Sequence, residues 1–348
     1  MRNQLQQPTS GMIYTSPGAA FEEVSCTFPT TYAWEYGTLK ESLRNLYEKA
    51  KAGQWDAQTR VDWSIDVDPE AENMPDAQIP IFGTDIWNKM NEKERRKLRH
   101  EFQGWMLSQF LHGEQGALLA TAQIVDAVPL ADAKFYASTQ VMDEARHVEV
   151  YDKYLRDKIE LQYPVNPHLK SLLDQILTDS RWDMKYIGMQ IMVEGLALAA
   201  FQFIHKMSKD PLIRDITRYV MLDEARHVAF GVLTLQDTYA KGNLSPKEMS
   251  ERQDFCYESS ILMRDRFQAR EVWERLGLPV DRCCEIALHS PMMVEFRKML
   301  FSKIVPNLKR VGLLTGKLRS QFATPDLDIL KFEDWESVDE SNVEAIAD

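Results

Sequence analysis

Asp143-Glu144-Ala145-Arg146-His147-Val148 recurs unchanged as Asp223-Glu224-Ala225-Arg226-His227-Val228, and each copy follows another glutamate in an apolar setting. Glu114 precedes Glu144 and His147 by 30 and 33 residues, and Glu194 precedes Glu224 and His227 by the same two intervals. One straight helix would hold the members of each pair about 45 Å apart. Two antiparallel helices joined by a short turn instead bring residues equidistant from the turn to the same height. Position 129, midway between Glu114 and Glu144, is Pro129 in Asp126-Ala-Val-Pro-Leu130, and position 209, midway between Glu194 and Glu224, lies in Ser208-Lys-Asp-Pro211. A proline shortly after an acidic residue stops one helix and starts the next. The spacing therefore predicts two helical hairpins, each presenting a Glu opposite a Glu-x-x-His.

Residues three apart share a helical face, so Glu144 and His147 can reach one ion, as can Glu224 and His227. Their stripe neighbours are Ala137, Val141, Val148 and Tyr151 in one helix and Thr217, Val220, Met221, Val228 and Gly231 in the other. Glu114 is flanked by Leu107, Phe110, Leu111 and Leu118, and Glu194 by Ile187, Ile191, Leu198 and Phe201. A carboxylate on such a stripe must be protonated, paired or bound to metal, because bare burial is strongly unfavourable. Four of them facing one core repel each other, and two divalent cations relieve the repulsion. Solvated helices with exposed Glu–Arg pairs would leave these glutamates unexplained.

One Glu from each of two helices and Glu-x-x-His from each of the other two is the ligand set of ferritin-like di-iron and di-manganese carboxylate bundles. Through Glu114, Glu144, His147, Glu194, Glu224 and His227 the chain resembles that superfamily over residues 96–240. The resemblance implies an all-α fold, a ferritin-like four-helix bundle with a di-metal core plus additional flanking helices. It also implies two Fe ions, with Mn/Fe or Mn as alternatives. The Asp-Glu-x-Arg-His pattern resembles bacterial multicomponent monooxygenase hydroxylase subunits, in which the Asp of each motif bonds the His of the other. Carried over, this pairs Asp143 with His227 and Asp223 with His147, supported by Arg146 and Arg226. Three relatives are distinguished by single positions. Arylamine N-oxygenases similar to the p-aminobenzoate enzyme carry a further histidine one turn before the second Glu-x-x-His, where this chain has Val220. Multicomponent hydroxylases have a threonine one turn after the third glutamate, where it has Leu198. The ribonucleotide reductase small subunit has a radical tyrosine one turn after the first Glu-x-x-His, where it has Tyr151.

The implied activity is that of a non-haem di-iron oxygenase, which activates O2 to hydroxylate, N-oxygenate or desaturate a small organic substrate. No flavin or cysteine-cluster motif occurs, so the electrons are expected from an external reductase or ferredoxin. A radical-generating subunit using Tyr151 and a dimanganese catalase are the alternatives. Small residues beside the ligands, Gly113, Gly116, Ala117 and Ala120 near Glu114 and Gly195, Ala197, Ala199 and Ala200 near Glu194, suggest a substrate cavity. Gln190 and Tyr186, one and two turns before Glu194, are candidate contacts within it, along with Leu198 and Tyr151.

The 348 residues, 44% hydrophobic, suffice for one large helical unit. The expected organisation is an N-terminal extension (1–95), the di-iron core (96–240), further helices (241–324) and an acidic tail (325–348). The helices are expected from about 86, from about 130 to 160, then two long ones after Tyr163-Pro-Val-Asn-Pro167, with turns at Asp210-Pro211 and near Gly242. No apolar run approaches the ~20 residues of a membrane span, and the polar start Met1-Arg-Asn-Gln-Leu-Gln-Gln is unlike a signal peptide, so a cytoplasmic location is expected. Four cysteines, Cys26, Cys256, Cys283 and Cys284, lack metal or disulfide spacing and read as reduced structural thiols. Of the net charge of −12, the tail holds nine acidic residues and one lysine. That balance argues against nucleic acid as a partner and suggests a disordered end or, through Phe332 and Trp335, a docking peptide. A homodimer is the expected assembly. The two tryptophans of Gln54-Trp55-Asp56 to Trp63 are read as packing residues.

Overall fold

Helix caps divide the chain where its sequence changes character. The computed structural model describes residues 22–240, 243–339 and 341–346, so the reading of the first residues and the turn at Gly242 lie outside it. Glu41–Ala52 forms α1 and Asp85–Lys89 the short α2. Asn91 then starts the long α3, Glu92–Ala127, through a reciprocal cap: its side chain accepts from the Glu94 amide and Glu94 accepts from the Asn91 amide. The single helix expected from position 86 is thus two, because Asn91 restarts the hydrogen-bond ladder. Val128, Pro129 and Leu130 turn the chain into α4, Ala131–Tyr154, which ends in a wide π-helical turn, Leu155–Ile159.

A helix the sequence reading did not separate, α5 (Pro167–Thr178), intervenes between the hairpins, capped by Asn166. The second hairpin begins with α6, Trp182–Tyr186, passes through the π-helical turn Ile187–Val193 and continues as α7, Glu194–Met207. Asp210 caps α8, Pro211–Thr238, accepting from the amides of Leu212 and Ile213. The expectation of no span-length apolar segment needs correction: Trp182–Met207 is long and apolar enough to cross a membrane. With 83% of that window buried, its apolar surface faces the other helices.

The remaining helices are α9 (Pro246–Arg266), α10 (Arg270–Leu276), α11 (Val280–His289), α12 (Pro291–Leu300), α13 (Val305–Arg310), α14 (Gly316–Phe322) and α15 (Val343–Ile346). Among the described residues there is no strand. The chain is an all-α, ferritin-like bundle in which the α3–α4 and α7–α8 hairpins pack together through α4 and α8. Across one side lies α1, against α4 and α8, while α5 and α9 cover the π-helical turn and α12 covers α7. One hydrophobic cluster runs from Leu43 to Val343. Cys256, Cys283 and Cys284 are buried in it, and all four cysteines are free thiols.

The acidic tail is not disordered over its described length. Leu327, Ile329, Phe332, Val338 and Val343 are buried, and α15 packs on α8. Its carboxylates pair with bases on earlier helices: Glu333 with Arg319 at 2.7 Å, Asp334 with Lys309 at 2.7 Å and Asp339 with Arg310 at 2.7 Å. Summed charge hid both features, since the apolar residues are spaced singly and the basic partners lie elsewhere in sequence. Trp335 is exposed, whereas Phe332 is buried in this chain. Deleting residues 325–348 is expected to remove the buried apolar side chains of the tail and to cost several kcal/mol, at about 1.5–3 kcal/mol per large apolar side chain. A thermal melt of the truncated chain matching that of the full chain would contradict this packing.

Candidate metal centre

The two hairpins set Glu114 of α3, Glu144 and His147 of α4, Glu194 of α7, and Glu224 and His227 of α8 around one point in the core. All six are buried, none exposed beyond 5%. Glu114, Glu144, His147 and Glu224 each offer a ligand atom within 4.8 Å of the others, and Glu144, Glu194 and His227 form a second such group sharing Glu144. His147 Nδ1 lies 3.2 Å from Glu114 Oε2 and 3.2 Å from Glu224 Oε1. His227 Nδ1 lies 3.1 Å from Glu144 Oε1 and 3.6 Å from Glu194 Oε2.

The outer nitrogens face away from the cluster, toward the opposite motif. His147 Nε2 is 3.1 Å from Asp223 Oδ2, and His227 Nε2 is 3.3 Å from Asp143 Oδ2. A carboxylate there fixes the imidazole tautomer that leaves Nδ1 free as a donor to a cation. Arg146 donates to both Asp143 and Asp223, the latter at 3.0 Å, and Arg226 donates to Asp223. Three further residues reach the centre, two of them without a sequence signal. Trp55 Nε1 donates to Asp223 Oδ2 at 2.8 Å, and Gln54 Nε2 to Asp143 Oδ1 at 2.7 Å. Gln140 Nε2 bridges Glu144 Oε1 at 2.9 Å and Glu194 Oε1 at 2.8 Å. Trp55 is therefore more than packing: α1 delivers the loop after it onto α4 and α8. Gln140 was detectable, one turn before Glu144 on the same face.

Electrostatics of the bare cluster are unfavourable. Burial, aided by the Glu224 carboxylate, holds Glu114 well above the usual carboxylate range, and burial does the same to Glu194. Burial acts downward on His147, but hydrogen bonds with Asp223 and Glu114 raise it overall; His227 rises because the Glu144 charge and Asp143 outweigh its burial. Without a cation, protons must occupy the places of positive charge. Glu144 Oε2, Glu194 Oε2, both oxygens of Glu224 and His227 Nδ1 nonetheless lack a hydrogen-bond partner. Buried, unmatched carboxylate oxygens with an unmatched imidazole nitrogen form a donor set suited to iron or manganese.

A cavity of about 20 Å³, room for about one water, touches Glu114, Glu194 and Glu224. Gly113, Ala117 and Ala197 line it, and so does Arg266. Gly116 and Gly195 serve close packing instead, against Leu173 and against Ile304 and Lys303. Tyr186, Gln190, Leu198 and Tyr151 do not line this cavity, contrary to expectation. The π-helical turn between Ile187 and Val193 breaks the alignment of Tyr186 and Gln190 with Glu194, and Gln190 faces Gly231 of α8. Leu198 is buried in the core, while Tyr151 lies against Phe110 and Phe201 with its hydroxyl unpartnered. Val220, one turn before Glu224, is fully buried, so two histidines face the centre.

A helical bundle with two Glu-x-x-His helices, two single-Glu helices and crossed Asp–His support defines a ferritin-like di-iron carboxylate protein, an oxygen-dependent oxidoreductase. Residues 38–312 match the family described as p-aminobenzoate N-oxygenase AurF, more than three quarters of the chain. The chain belongs to that family. No curated protein matches it significantly. Among solved structures, two variants of an R2-like ligand-binding oxidase with a reconstituted Mn/Fe cofactor are similar. One is 18% identical, covering 78% of this chain and 93% of that one with a TM-score of 0.46; the other is 16% identical, covering 78% and 94% with a TM-score of 0.45.

Proposed function

We propose that the protein is a monooxygenase-type enzyme oxidising a small organic substrate. Glu114, Glu144, His147 and Glu224 would hold one iron, and Glu144, Glu194 and His227 the other. The observation that carries this reading is the set of buried, unmatched oxygens of Glu144, Glu194 and Glu224 beside a small-residue cavity. With iron held by these residues, the centre would supply the redox chemistry for O2-dependent oxidation of the substrate. Asp143 and Asp223 fix the histidine tautomers; Arg146 orients both aspartates, and Arg226 orients Asp223. Gln140 restrains Glu144 and Glu194 at their Oε1 atoms, leaving each Oε2 free. Phe110, Leu196 and Val193 wall the cavity against bulk water. Electrons come from a separate reductase or ferredoxin, since the chain has no redox cofactor motif of its own.

The family's described reaction, N-oxygenation of p-aminobenzoate, is one of three outcomes considered, with C-hydroxylation and desaturation. Buried Val220 cannot serve as the further histidine of the arylamine enzymes. The test is a single turnover of reduced, iron-loaded protein with isotope-labelled O2 and a panel of aromatic, amine and fatty-acyl compounds, read by mass spectrometry. A product carrying one labelled oxygen, or lacking two hydrogens, is expected. If no compound changes, while an electron paramagnetic resonance signal that disappears in Tyr151→Phe is seen, the protein is a radical generator and the monooxygenase reading fails.

A further inference from the structure

Tyr-x-x-x-Gln-x-x-x-Glu occurs twice in the chain, as Tyr136, Gln140 and Glu144 on α4 and as Tyr186, Gln190 and Glu194 along α6, the π-helical turn and α7. Each copy ends on a member of the second ligand group, whose third member is His227 of α8. Beyond His227, α8 continues through Phe230 and Gly231 to Thr234, and the three segments meet there. The rings of Tyr136 and Tyr186 both rest on Phe230, with centroids 4.4 Å and 5.0 Å away, and Gln190 lies against Gly231. The Tyr136 hydroxyl is near enough to His227 and Glu194 to sense their charges, and Thr234 neighbours the Tyr186 hydroxyl.

Five side chains of this column are buried with polar atoms that no protein group matches. Tyr136, Gln140, Tyr186 and Gln190 have no solvent exposure, and Thr234 has 6%. Gln140 Oε1, both amide atoms of Gln190 and the hydroxyls of Tyr136, Tyr186 and Thr234 have no hydrogen-bond partner among the described residues. Leaving one such atom unmatched in a core is costly, and here they are stacked on three adjoining segments over one ligand group. A small partner that both donates to the amide oxygens and accepts from the amide and hydroxyl hydrogens fits all of them, and water does both. At about three bonds for each buried water, two or three molecules satisfy the set.

The column and the cavity beside Glu114 lie on opposite sides of the metal layer. Phe110 and Gly113, which precede Glu114, and Leu196 and Ala197, which follow Glu194, line the cavity. The column is built instead from residues that precede Glu144 and Glu194 and follow His227. In antiparallel hairpins those two sets of directions are opposed.

We propose that the column holds a chain of ordered water that delivers protons to the metal centre, from Thr234 at its outer end to Gln140, which is bonded to Glu144 and Glu194. This rests on the oxidase reading above and deepens it. Inserting one oxygen atom of O2 into a C–H or N–H bond takes two electrons from the reductase and two protons; the other oxygen leaves as water. Waters and hydroxyls pass each proton on by exchanging hydrogen bonds, while the two glutamines hold the waters in line. Protons thus enter from one side of the centre and the substrate from the other, so the cavity needs no water of its own.

The first test is a crystal structure of iron-loaded, full-length protein at a resolution that orders buried water. At least two waters bonded among Tyr136, Gln140, Tyr186, Gln190 and Thr234 are expected. A column whose side chains bond one another directly, with no water between them, overturns the proposal. The second test mixes reduced, iron-loaded protein with O2 alone, where the two electrons of the iron pair and two protons convert O2 to H2O2, and follows proton uptake with a pH indicator in weak buffer. Q190M, Y186F and T234V are expected to slow uptake by about tenfold or more, with iron content unchanged, as for loss of positioned proton transfer. T234S keeps the hydroxyl and is expected to stay close to wild type. Wild-type uptake rates in both Q190M and T234V overturn the proposal. Should Q190M fail to fold, T234V against T234S still decides. Wild type that binds no iron would count against the oxidase reading instead, and the two failures are distinguishable because buried water is read without turnover.

Discussion

Glu144→Ala and His227→Ala are each expected to reduce bound iron to about half or less of the wild-type content, measured by elemental analysis of protein loaded anaerobically. Glu144 belongs to both ligand groups, so its removal takes a donor from each ion at once. It also leaves Gln140 Nε2 with Glu194 alone to restrain. His227 is the one nitrogen donor of its group, and Asp143 behind it would face an empty space. Loss of a supporting group around a ligand commonly lowers metal affinity 10–100-fold, and loss of the ligand itself more. Glu144→Ala should be the more damaging of the two. Full iron content in both variants would mean that the cluster is not the metal site. A structural collapse is separable by circular dichroism, since alanine is a good helix former and both positions lie within helices.

Gly231→Val is expected to be the most destabilising single change on α8 outside the ligands, by about 3 kcal/mol, at the upper end for overpacking a filled core. A Cβ at Gly231 would lie 2.5 Å from the Gln190 Cβ and 3.2 Å from Ile191 Cδ1. Neither atom can withdraw easily, because both belong to the π-helical turn wedged between α8, α9 and α5. That turn leads directly into Glu194, so the strain is transmitted to a ligand of the second group. The variant should show a lower urea midpoint and weaker iron retention together. A midpoint unchanged within error would show that the turn has room to move, contrary to the packing observed.

Much of the site was readable in the chain because helical hairpins encode their geometry locally. The repeated hexapeptide and the 30- and 33-residue intervals specify which side chains share a height, and Pro129 and Asp210-Pro211 specify where each hairpin turns. Apolar neighbours at helical spacing specify which face is inward. What the chain concealed depends on contacts between segments far apart in sequence. Trp55 and Gln54 show no pattern in their own loop, and their partners Asp223 and Asp143 are 168 and 89 residues away. The tail's buried side chains are too widely spaced to produce a periodic signal.

The sequence by itself determined an all-helical bundle and the six acidic and imidazole side chains that meet in its core, because a 3.6-residue period and a symmetric turn leave few other arrangements. Only the tertiary structure decided which residues around those six face the cavity. The π-helical turn before Glu194 rotated Tyr186 and Gln190 away, close packing claimed Gly116 and Gly195, and α9 brought Arg266 in from outside the core hairpins. Helical periodicity fixes height and face within one element; the rotation of one helix against another is set by how all the side chains between them fill space.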